Sequence, residues 1–297
     1  MTTSTFEELQ QLIDAGQPLP ADGIRQLAAA ADILPLGMLA DSLRRRMHDR
    51  QVTYVRVAQC AFDASLAGAV PLTAREIRIT GQPPTMSVAI TAIEAAKAVA
   101  GERAVSGLAW QDVERLAAGG ETAARVLTRL REAGLDALAE LPLDRAGGVA
   151  EAVEQLAAAG YRQLRLTIEK AVAADRTHLL LQAAVLQDRY ACIQAINPLP
   201  TVLQTFRPTT GYDDVKMVAV ARLAAPNVPA IQVDWLRYGP KLAQVALTFG
   251  ANDLDAVTAS DESADGRRRA PLEEVRRNIE AAGFTPAERD GFYGLVK

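Results

Sequence analysis

YVRVAQCAFDASLAGAV, residues 54–70, opens as a short β-prone run and then passes into small residues around a lone cysteine, Cys60. The first half reads as a buried strand, because a run this apolar suits a strand covered on both faces. Seven more runs follow: EIRITG (76–81), AVSGL (104–108), ALAEL (137–141), QLRLTIE (163–169), CIQAI (192–196), AIQVDW (230–235) and DLDAV (253–257). Between them lie periodic Ala/Leu-rich segments such as SVAITAIEAAKAVA, TAARVLTRLREAG, VAEAVEQLAAAG and KMVAVARLAA, several ended by the Gly that suits a left-handed helix stop. Strand and helix in alternation predict an α/β fold with a parallel sheet, and eight units favour a (β/α)8 TIM-type barrel over an open doubly wound sheet. No GxGxxG opens a helix after the first strand and there is no P-loop, which argues against a dinucleotide fold.

The barrel is expected over residues 51–258. Ahead of it, residues 1–50 read as a helical cap of two or three short helices, with Phe6, Leu9 and Leu12/Ile13 on one face and Ile24, Leu27, Leu39 and Leu43 after a Pro/Gly break. Beyond it, residues 259–297 read as a mobile loop, ASDESADGRRRAP (259–271), and a C-terminal helical segment, LEEVRRNIEAAGF. Arg267, Arg268 and Arg269 in that loop suit either an anion clamp or a solvated charge run.

The 32 basic and 36 acidic residues, a net charge of −4, leave no basic face for nucleic acid or an anionic membrane. No apolar run approaches the ~20 residues of a membrane span. With no apolar signal segment at the start, Cys60 and Cys192 read as free thiols of a cytoplasmic protein.

The segments LGMLADSLRRRMHDRQVTYV (36–55), GQPP (81–84), VLTRLREAGLDAL (126–138), DRTHLLLQAAVLQD (175–188), NVPAIQVDWLRYGPKLAQVALTFGANDLDA (227–256) and PLEEVRRNIEAAGFTPAERDGFY (271–293) resemble, in order, the radical SAM enzymes of the futalosine route to menaquinone. These are dehypoxanthine futalosine cyclase and aminofutalosine synthase, with FO synthase more distant. The resemblance implies a radical SAM-like barrel with an N-terminal helical cap and a C-terminal segment closing over the barrel mouth. In the family a CxxxCxxC motif after the first strand supplies three thiolates to a [4Fe–4S] cluster that binds S-adenosylmethionine. Here that loop offers Cys60 alone, and Cys192 begins another strand. The chain therefore reads as a degenerate member with no cluster, S-adenosylmethionine an unexpected ligand and radical activity absent. The family's Gly-rich turn with a Glu after the fourth strand is replaced by AELPLDRAGG (139–148), with Glu140 nearby, and its Gly-His turn by IEKAVAADRTH (168–178).

Residues at the C-terminal ends of barrel strands face the pocket. Glu169 and Asp234 are candidates for an acid/base pair, or for helix caps and ion-pair partners. Gln82, Glu140 and Asn197 are candidate ligand-binding residues, as are Tyr238, Lys241, Asn252 and Asp253 in the best-matched block; Asn252 and Asp253 equally suit a turn. His48 and His178 have no second His or Cys at metal-ligand spacing, so no metal site is expected. Cys60 as a nucleophile would need a nearby base. Two functions fit these residues. One is a non-catalytic partner or ligand-binding subunit, pairing with a cluster-bearing radical SAM homologue or with itself. The alternative is a non-radical enzyme using the mouth for acid/base chemistry on a menaquinone-pathway, aromatic or nucleoside metabolite.

Overall fold

The structure, a computed structural model, describes residues 3–64, 70–145, 147–202, 206, 209–260 and 271–296. Three helices, α1 (Thr3–Asp14), α2 (Ala21–Ala29) and α3 (Leu34–His48), lead into β1 (Gln51–Ala61). The remaining barrel strands are β2 (Glu76–Thr80), β3 (Ala104–Ala109), β4 (Ala137–Pro142), β5 (Leu164–Ile168), β6 (Ile193–Pro200), β7 (Ala230–Asp234) and β8 (Asp253–Thr258). All eight pair in parallel, and β1 joins both β8 and β2, so the sheet closes on itself. That closure excludes the open sheet.

Helices α4 (Met86–Ala100), α5 (Trp110–Ala117), α6 (Ala123–Glu132), α7 (Ala150–Ala158), α8 (Ala173–Tyr190), α9 (Gly211–Ala224) and α10 (Trp235–Thr248) form the outer layer. Thr85, Thr122 and Thr210 start three of them by accepting a backbone N–H on the hydroxyl, which satisfies a donor that the first helical turn leaves unpaired. The N-terminal cap packs on this layer through α3 and α9. At Gly37 in α3 any side chain would meet the Phe249 ring, since a Cβ there would lie 2.6 Å from it. Among the described residues no helix is long and apolar enough to cross a membrane.

The chain end departs from what the resemblance implied. After α11 (Pro271–Ala281), β9 (Thr285–Glu288) pairs with Gln51–Tyr54 of β1. Strand β2 reaches β1 only from Val57 onward, so β9 takes the N-terminal stretch of the edge that β2 leaves bare. Residues 289–293 then cross the N-terminal end of the barrel, where Gly291 N–H donates to Arg75 O and Gln163 Nε2 donates to Phe292 O. Among the described residues, 285–293 thus close the floor of the barrel. Ten residues of the expected mobile loop, 261–270, including Arg267, Arg268 and Arg269, lie outside the described residues.

Candidate functional site

Barrel interiors are ordinarily filled by layers of branched apolar side chains. This one is filled by charge. Strand alternation turns Glu76 and Arg78 of β2, Arg165 of β5, and Asp253 and Asp255 of β8 inward, and all five are buried. Arg165 grips Glu76 through two contacts of 2.9 and 2.7 Å, while Arg78 binds both Glu76 and Asp255. From the floor, Arg289 grips Asp253 at 2.6 and 2.8 Å, and its guanidinium stacks 3.9 Å from the Tyr293 ring centre. Three arginines thereby match three carboxylates, which is the condition for burying charge at tolerable cost. Burial alone would raise the Glu76 carboxyl; Arg165 and Arg78 outweigh it and hold the group below its ordinary range. Arg78, Arg165 and Arg289 do the same for Asp255.

Above this ladder the mouth opens into a cavity of about 310 Å3. Gln59, Thr167, Asn197, Asp234, Glu140 and Arg237 line it, and Arg78 and Asp255 form its floor. Three of the sequence-predicted residues, Asp234, Glu140 and Asn197, come together here. Asp234 ends β7 and caps α10, accepting the Arg237 N–H at 2.8 Å. Burial, and then the Asp255 charge, push its carboxyl above the ordinary value. Glu140 pairs with Arg237 at 3.0 Å. Asn197 spends its carbonyl oxygen on Leu199 N–H at 3.1 Å.

The other candidates go elsewhere. Glu169 does not line the cavity; it lies 3.3 Å from Gln111 Nε2, while its own N–H is one of three, with those of Lys170 and Ala171, that bind the Asp144 carboxylate. The expected Glu169/Asp234 pair is therefore not assembled in the cavity, because the β5 turn folds around Asp144. Gln82 is exposed and Lys241 is exposed on α10, and neither lines the cavity. Tyr238 donates its hydroxyl to Pro200 O at 2.6 Å. Asn252 and Asp253 precede and begin β8, at the floor end; Asn252 Oδ1 accepts Ile231 N–H at 2.9 Å and Asp253 belongs to the charge ladder. Both lie away from the mouth, since the strand begins at them and the mouth lies at its far end.

Cys60 falls inside β1, not in the following loop. Gln59 faces the cavity, so its neighbour Cys60 points the other way, into the helix-packed core. Burial raises its thiol. Cys192 lies just before β6, where its carbonyl accepts the N–H of Leu164, the first residue of β5. His48 is pushed down to about 4 by burial, then by Arg222 and Arg44. Among the described residues no group of three or more His, Cys, Asp or Glu side chains is placed to hold a metal ion. Sequence reading missed Arg78, Asp255, Gln59, Thr167 and Arg237. For the first two a signal existed, a charge between apolar neighbours within a buried strand; for the others nothing local marks them.

Residues 194–297 match the CofH/MqnC C-terminal region. Over 132 residues, 40% of this chain and 38% of the relative, the sequence is 35% identical to 5-amino-6-(D-ribitylamino)uracil--L-tyrosine 4-hydroxyphenyl transferase of Archaeoglobus fulgidus. It is 39% identical over 95 residues to aminodeoxyfutalosine synthase of Thermus thermophilus, covering 30% of this chain and 25% of that one. The chain thus aligns with well under half the length of these curated relatives. Among solved structures, methylornithine synthase PylB superposes with a TM-score of 0.67 at 16% identity, over 94% of this chain and 97% of that one. The hydrogenase maturase HydG superposes with a TM-score of 0.72 at 12% identity, over 99% and 77%. These two likenesses establish the barrel. The chain thus carries, over residues 194–297, a segment similar to the CofH/MqnC C-terminal region, on a closed (β/α)8 barrel.

Proposed function

We propose that this chain is a cluster-less barrel of the radical SAM type, acting in the cytoplasm as a non-catalytic, ligand-binding or partner subunit in or near menaquinone (futalosine) biosynthesis. Its partner would be a cluster-bearing radical SAM homologue or a second copy of itself. The observation that carries this reading is the placement of the two thiols. A [4Fe–4S] cluster of this kind needs three thiolates within a few Å of one another. The sequence holds two cysteines. Cys60 is in register with Ile79 towards the mouth, and Cys192 precedes the first residue of β6 at the floor. Both are buried free thiols. The residues present do not fit the cluster.

The deciding experiment is anaerobic iron–sulfur reconstitution, read by iron content and visible absorbance, with S-adenosylmethionine cleavage assayed on the same sample. A colourless, iron-poor and inactive product is expected. A stoichiometric cluster that cleaves S-adenosylmethionine would overturn the proposal.

A second reading, non-radical acid/base chemistry at the mouth, is favoured by Asp234, a cavity carboxyl whose proton affinity burial raises. Glu169 no longer contributes to it. Turnover of an aromatic or nucleoside metabolite that disappears in Asp234→Ala would be its signature.

A further inference from the structure

Among the described residues, the charges lining the mouth cavity are paired with one exception. Arg78 holds Asp255 and Glu76, Arg237 holds Glu140, and Arg115 holds Asp112. Among the described residues Asp234 has no ion-pair partner; one oxygen caps α10 and the other is free to accept. An incoming carboxylate or phosphate would have to displace an internal carboxylate from a guanidinium. An incoming ammonium meets a carboxylate already partly stripped of water, where a charge-assisted hydrogen bond is strong.

A second observation points the same way. Thr167 lines the cavity at 5% exposure, and among the described residues its buried hydroxyl has no hydrogen-bond partner. A buried hydroxyl left unpaired is costly, so its presence calls for an external group. Asn197 has committed its carbonyl oxygen to Leu199 and keeps its amide N–H groups to donate. Gln59 presents a further amide from the end of β1.

We propose that the mouth binds a small polyhydroxylated amine, with its ammonium on Asp234 and its hydroxyls on Thr167, Asn197 and Gln59. This rests on the reading of the barrel as a ligand-binding one and names the class of ligand. The test uses three probes of one skeleton: glucosamine, glucose and gluconate, titrated calorimetrically at pH 7 into the protein as purified. Glucosamine should bind at least about ten-fold more tightly than glucose, and gluconate should bind weakest. Asp234→Asn, which keeps the helix cap because Asn caps as well as Asp, should erase the preference for the amine. Thr167→Val should weaken glucosamine and glucose alike. Gluconate binding as tightly as glucosamine, no measurable binding of any probe, or an unchanged preference in Asp234→Asn would overturn the proposal. The titration needs no iron, so a cluster found on reconstitution would defeat the cluster-less reading and leave this result standing, and the converse holds equally.

Discussion

From β2, Arg78 reaches past β1 to hold both oxygens of Asp255 on β8, at 2.9 Å each. The same guanidinium also binds Glu76 at 2.9 Å, so a single side chain ties the floor of the mouth cavity to the charge ladder below it. Replacing Arg78 with Met should cost about 3–5 kcal/mol, because two buried carboxylates lose a partner. Urea denaturation of Arg78→Met against the parent measures this. A loss under about 1 kcal/mol would mean that water reaches Asp255 and relieves it.

At the floor, Arg289 is the only guanidinium shown gripping Asp253 among the described residues, and both side chains are essentially buried. Arg289→Met should therefore destabilise by a similar amount, about 3–5 kcal/mol. Tyr293→Phe removes only the 3.3 Å hydrogen bond from Gln232 Nε2 and should cost about 0.5–1.5 kcal/mol. Both variants should leave ligand binding at the mouth unchanged, since the floor and the mouth lie at opposite ends of the strands. Altered binding in Tyr293→Phe would show that the two ends are coupled.

Acid should loosen the barrel through Glu76. Its folded-state value is depressed, so the unfolded chain takes up the proton first and the stabilisation is full above the ordinary value of 4.5. It is lost as pH falls from there towards the depressed value. Asp234 has the opposite sign: its raised value favours the protonated folded state, so stability is lost as pH rises through that value. Denaturation curves between pH 3 and 7 should show Glu76→Gln with a flatter acid limb. Asp234→Asn should gain stability relative to the parent at the upper end of the range and none at the lower. Equal offsets at every pH would contradict both assignments.

Neither cysteine should react quickly. Burial raises both thiols and keeps them protonated and shielded. Labelling with a disulfide reagent at pH 8 should proceed only as fast as the protein opens, and should accelerate in urea in step with unfolding. Immediate labelling of Cys60 in the native protein would show that the end of β1 is looser than its pairing with β2 implies.

The strand order was legible because strands buried on both faces are continuous apolar runs. AIQVDW predicts 230–235 and β7 spans Ala230–Asp234; EIRITG predicts 76–81 and β2 spans Glu76–Thr80. The short strand β9, TPAE, carries a proline and little apolar character, so local pattern does not announce it; only the bare edge of β1 makes it a strand. Of the candidate site, Asp234, Glu140 and Asn197 were reachable by counting to strand ends. Glu169 stands at a strand end just as plausibly, yet the turn that follows it wraps around Asp144. Asn252 and Asp253 lie in the best-matched block and still serve the floor.

By itself the sequence determined the alternation of strand and helix, hence the barrel, and the number of thiols, because both depend on residues near one another or simply present. Tertiary structure alone decided which charges meet. Glu76 and Arg165 stand 89 positions apart and Arg78 and Asp255 177 apart, and only closure of the sheet brings them within bonding distance. Among the described residues, the same closure pairs off both arginines lining the mouth cavity, Arg78 and Arg237, and leaves Asp234 without an ion-pair partner. That is a property of burial and distance in three dimensions, which no local pattern in the chain encodes.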